Sequence, residues 1–137
     1  MSGLYVMPSN SSELTERLEE YRTSVLAEYI LLAHTSGTVI AESGELPLGD
    51  ASMFAALTAA TFQSTGQIAQ LMMEKNFAKI IQNGENRSLM MMNLTETSVT
   101  VLVFPTANID QETQDIVLQW QEAIRETLIA IGGTQFV

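Results

Sequence analysis

From Asp50 to Glu74 the chain reads DASMFAALTAATFQSTGQIAQLMME, and this stretch decides the fold. Its alanine-rich core, with apolar residues at helical spacing, predicts one long helix over 52–73, and Asp50 is placed to cap it. At about 100° per residue, Phe54, Leu57, Thr61, Thr65, Ile68 and Met72 fall on one stripe, expected to lie on a sheet. Ala55, Phe62, Ala69 and Met73 fall on a second apolar stripe with Gly66 beside it, small enough for another backbone to come close. Ser52, Gln63, Gln67, Gln70 and Glu74 form a polar, almost uncharged face interrupted by Ala56 and Ala59. A single core does not need both apolar stripes, so the second is assigned to contact with another chain.

Working outward, 29–34 and 38–42 are β-type runs joined by Thr35-Ser36-Gly37, which predicts a hairpin whose glycine takes positive φ. Residues 43–49 form a connecting loop with two glycines and a proline. Upstream, Leu14, Leu18, Tyr21 and Val25 recur at helical spacing with Glu13, Glu16, Glu19 and Glu20 on other faces. They predict an amphipathic helix starting near Asn10, its first turns acidic as the helix dipole favours. Downstream, 77–82, 88–93 and 98–104 read as an antiparallel meander. A last helix carries Ile116, Trp120, Ile124, Leu128 and Ile131 and is expected to stop at Gly132-Gly133. The organisation is one domain over 10–133 between a flexible tail at 1–9 and another at 134–137.

The length of 137 residues suits one domain with a real core, and a hydrophobic fraction of 46% suits a globular one. The apolar runs fall far short of the ~20 residues of a membrane helix, and the first residues lack the pattern of a secretory signal. A cytoplasmic protein with no membrane insertion is expected. The absence of cysteine removes disulfides, thiolate metal sites and cysteine nucleophiles. Sixteen acidic against six basic residues give a formal charge of −10, which repels phosphate backbones, so nucleic acid is not an expected partner. That charge serves either solubility or a basic partner.

The order helix, two strands, long helix, three strands, helix resembles the roadblock (dynein light chain 7-like) superfamily, and more nearly its prokaryotic MglB-like branch. The resemblance is carried by 32–41, by 56–65 continuing to 68–71, by Phe77, by Gly84-Glu85 and by 101–104. It implies an α+β, roadblock/profilin-like domain: a five-stranded antiparallel sheet with the long helix on one face and the terminal helices on the other. Members commonly dimerise through the middle-strand edge and the long helix. That assigns Ala55, Phe62, Gly66, Ala69, Met73, Phe77, Lys79 and Ile81 to a homodimer interface. MglB-like proteins bind the Ras-like small GTPase MglA and stimulate its GTP hydrolysis, without an arginine finger, by helping the partner arrange its own catalytic residues. The implied partner surface is Gln63, Gln67, Gln70, Glu74 and Arg87. Where such proteins more often carry a glycine-containing turn followed by a basic residue, this chain has 105–115, with no Lys or Arg before Trp120. A non-catalytic adaptor is the alternative reading.

The residues offer no chemistry of their own. His34 stands at a strand end without a nucleophile or a second base, and 37–44 lacks the Lys and Ser/Thr of a phosphate loop. Glu42, Glu45 and Asp50 lack the spacing of a calcium loop. No catalytic residue, metal or cofactor is therefore expected. Met90, Met91 and Met92 in one strand must put Met91 on the face opposite the other two, so both faces of that strand are expected to be covered.

Overall fold

The structure is a computed structural model that describes residues 8–75 and 77–132, with side chains from 12 to 131. The elements are α1 (Pro8–Ser24), β1 (Tyr29–His34), β2 (Val39–Gly44), α2 (Ala51–Leu71), β3 (Ile80–Asn83), β4 (Ser88–Thr95), β5 (Ser98–Phe104) and α3 (Gln111–Gly132). The strands form one antiparallel sheet in the order β2-β1-β5-β4-β3, leaving β2 and β3 at its edges. Helix α1 begins at Pro8, before the expected Asn10, which shortens the proposed N-terminal tail; the rest of that tail and the C-terminal one lie outside the described residues. Strand β3 begins at Ile80 instead of 77.

Alternation along the strands splits the core in two. On one side Ile30, Leu32, Met90, Met92 and Leu102 pack under Leu14, Leu18 and Tyr21 of α1 and Val117, Ile124 and Leu128 of α3. On the other, Tyr29, Leu31, Met91, Val99 and Val101 pack against Ala55 of α2. Met91 thus faces α2 while its two neighbours face the terminal helices, as three consecutive strand residues must. The larger core also holds a satisfied polar chain. Tyr21 Oη donates to Gln121 Oε1 at 2.8 Å, and Gln121 Nε2 donates to Thr100 Oγ1 at 3.0 Å and to the Asn93 carbonyl at 3.2 Å. Fully partnered, it fixes the register of α1 and α3 on the sheet at little desolvation cost.

Helix α2 is rotated from the orientation that its large side chains suggest. Ala55, Thr58, Ala59 and Ala69 are buried, whereas Met53, Leu57, Ile68, Leu71 and Met72 are each more than half exposed. The cause is the β1–β2 turn. A Cβ at Gly37, which has φ +100°, would stand 3.4 Å from Ala56 Cα and 3.7 Å from Ala59 Cβ. Only small inward side chains allow that approach. The chain's own hairpin is thus a backbone that comes close to α2, at Ala56 and Ala59. Ala55 and Ala69, assigned from sequence to an interface between copies, are buried within the single chain, and Phe62 is half-buried against the same core.

Both α1 and α2 end with a non-glycine residue in the left-handed region, Leu26 at φ 61° and Met73 at φ 62°. Each makes the paired bonds of a Schellman stop: Ala27 N–H to Arg22 O (3.0 Å) with Leu26 N–H to Thr23 O (3.3 Å), and Glu74 N–H to Ala69 O (2.8 Å) with Met73 N–H to Gln70 O (3.0 Å). Asp50 Oδ1 caps α2 by accepting from Met53 N–H at 2.8 Å.

The loop after β2 depends on Gly44. Its φ is +91°, and a Cβ there would lie 2.3 Å from the Glu28 carbonyl oxygen. Gly44→Ala is expected to cost at least ~2 kcal/mol and to lower the thermal midpoint by ~5 °C or more, measurable by calorimetry.

Candidate functional site

The three helices differ sharply in charge. The α1 and α3 surfaces expose Glu13, Glu16, Glu19, Glu20, Glu112, Asp115, Glu122 and Glu126, whereas α2 contains no charged residue from Ala51 to Leu71. Basic side chains on α1 and α3 are tied to neighbouring glutamates, as in the Arg17–Glu20, Arg22–Glu19 and Arg125–Glu122 pairs. Hydrogen bonds from Ser43 and then Arg22 hold the Glu19 carboxyl below its ordinary range.

Helix α2 consequently has three faces about 120° apart. One is the small-residue core face. The second is the exposed apolar stripe of Met53, Leu57, Ile68, Leu71 and Met72, extended past the helix end by Met73, which is 95% exposed. The third is the glutamine face. Gln63, Gln67 and Gln70 are all exposed and form one wall of a cleft of about 440 Å³ that also contains Thr35, Phe62, Gly66, Asn93 and Glu96. The opposite wall comes from the β1–β2 and β4–β5 turns.

The residues assigned from sequence separate accordingly. Gln63, Gln67 and Gln70 come together in the cleft, while Glu74 is exposed beyond the helix. Arg87 does not join them: it precedes Ser88 at the other end of β4, about 25 Å away along an eight-residue strand, and is paired with Glu28. Of the proposed interface residues, Gly66 lines the cleft, Met73 is exposed, and Phe77 and Lys79 precede β3, with Lys79 Nζ donating to Gln114 Oε1 at 2.7 Å. Ile81 of β3 packs partly against the core beneath α1 and α3. Sequence reasoning does not find Asn93 and Glu96, because the turn that brings them opposite α2 is set by long-range pairing. The exposed apolar stripe is visible as residues, but periodicity alone assigns it inward. Among the described residues no group of three or more His, Asp or Glu is arranged to hold a metal.

With this geometry in place, the chain can be set beside known proteins. A family model described as Roadblock/LC7 domain matches residues 13–104. The chain belongs to the Roadblock/LC7 domain family. Its fold is MglB-like. It is similar to the gliding protein MglB from Thermus thermophilus, with 25% identity, TM-score 0.80 and coverage of 95% of this chain and 98% of that one. It is also similar to an MglB with a tetrameric arrangement (23% identity, TM-score 0.81, 96% and 98% covered) and to Myxococcus xanthus MglB (22%, 0.73, 88% and 94%). No curated protein sequence matches the chain. No helix among the described residues is long and apolar enough to cross a membrane.

The assignment of α2 faces is directly checkable. Ala55→Leu is expected to overpack the core and to destabilise by about 1–3 kcal/mol in urea denaturation. An Ala55 lying between copies would instead change association and leave the midpoint of the isolated chain in place.

Proposed function

We propose that this protein is a homodimeric, cytoplasmic regulator that binds a Ras-like small GTPase of the MglA kind and has no chemistry of its own. The observation that carries the reading is the uncharged surface of α2 on a Roadblock/LC7 domain of acidic net charge. An exposed apolar stripe of such length, on a domain whose sheet leaves the short strand β3 open at one edge, is what an isologous dimer would bury. The glutamine face then stays available to a partner of different kind. In its activating form the regulator contributes position: contacts made best when the switch loops of the GTPase hold water and catalytic groups in line raise the rate tenfold for each ~1.4 kcal/mol of preferential binding.

A second reading, a dimeric adaptor in a motility, polarity or signalling complex, is favoured by the stretch 105–119, which contains no Lys or Arg where MglB-like proteins more often carry a basic residue. The two separate in single-turnover GTP hydrolysis by a Ras-like GTPase encoded near this protein. Acceleration saturating near two copies per GTPase is expected. Complex formation with unchanged turnover would establish the adaptor, and absence of a complex would remove the GTPase reading.

The dimer is tested independently. Leu57→Asp combined with Ile68→Asp is expected to give a folded monomer by light scattering, since both positions are exposed in the single chain and an unpaired charge in an apolar seam is strongly unfavourable. A persistent dimer would exclude the stripe from the seam.

A further inference from the structure

The cleft between α2 and the hairpin turns has a composition that selects its occupant. Gln63, Gln67 and Gln70 recur along one line of α2, and none of their carboxamides makes a hydrogen bond to another described residue. Each therefore offers a donor and an acceptor, the same pair that a peptide unit offers. From Gln63 to Gln70 the line runs about 10 Å at 1.5 Å per residue, the length of roughly three residues of extended chain. The base beneath them includes Gly66 and the half-buried ring of Phe62, which leave room for a backbone and provide an apolar rest. Across the cleft stand Asn93, at the irregular register between Asn93 and Thr95, and Glu96, an exposed carboxylate with no ion-pair partner among the described residues. Glu96 is the single charge among the described residues that line the cleft.

We propose that this cleft takes a short, extended and otherwise uncharged segment of a partner protein, its backbone amides paired with Gln63, Gln67 and Gln70 and a lysine or arginine at one end paired with Glu96. The inference deepens the regulator reading and depends on it only for whose segment is bound: there it is an exposed loop of the GTPase. The site is distinct from the apolar stripe, which lies on another face of α2. Recognition through uncharged amides gives an affinity that changes little with salt, apart from the share contributed by Glu96.

The test has two arms, each with the full chain. In the first, a display library of short random peptides is selected on the wild-type protein and on the Gln63→Ala/Gln67→Ala/Gln70→Ala variant. All three positions are exposed and alanine favours helix, so the variant keeps its fold, as thermal melting would verify. The expected result is enrichment of uncharged peptides with a basic residue at one end, at least tenfold weaker on the variant, and loss of both the basic preference and the residual salt dependence with Glu96→Gln. No enrichment, or equal binding to wild type and variant, would overturn the proposal. In the second arm, the GTPase loaded with a non-hydrolysable GTP analogue is titrated onto the same proteins. Binding at least tenfold weaker to the triple variant assigns the segment to the GTPase. Equal binding denies it that site while leaving the regulator intact, and no binding even to wild type removes the regulator while the peptide selection still decides the cleft.

Discussion

The distance between the β1–β2 turn and α2 governs the rest of the molecule. With Gly37 abutting Ala56 and Ala59, the helix meets the hairpin through small side chains, and of its large ones only Phe54 and Phe62 pack on the core. Alanine and threonine turn inward, and leucine, isoleucine and methionine are left facing out. An ordinary amphipathic helix is held by burying its largest residues, because burial free energy grows with apolar area. Here fit takes precedence over area on one face, and the apolar area is displaced to the opposite one. The exposed apolar surface of the protein is thus a by-product of how tightly its own hairpin is packed.

The opposite side of the sheet follows the usual rule. Leu14, Leu18 and Tyr21 fall on one face of α1 and are fully buried. The stacked rings of Tyr21 and Trp120, 5.8 Å apart, join the terminal helices, and the Tyr21–Gln121–Thr100 chain fixes their register. This half supplies a firm platform beneath the sheet, against which the small-residue face of α2 is held from the other side.

Much of this is legible in the residues. Glycine-containing turns mark the first hairpin and the start of the meander, and the spacing of Leu14, Leu18 and Tyr21 identifies the buried face of α1 correctly. The rotation of α2 is not legible, because periodicity ranks positions by side-chain size, whereas the decisive contact comes from a turn about twenty residues earlier in the chain. The cleft is half legible: its glutamines share one helix face, but Asn93 and Glu96 reach it through the pairing of β4 with β5. Arg87 looks available in the sequence only because Glu28, 59 residues away, leaves no local sign of pairing with it.

The uneven distribution of charge also governs events before any contact is made. With eight carboxylates on α1 and α3 and none within α2, the protein has an uneven electrostatic field, felt over a screening length of about 10 Å. Two copies, or one copy and another acidic protein, repel each other in most mutual orientations and least when the long helices lead. Diffusing molecules are thereby sorted by attitude before they touch, and this orientational bias fades as ionic strength rises even though α2 itself carries no charge.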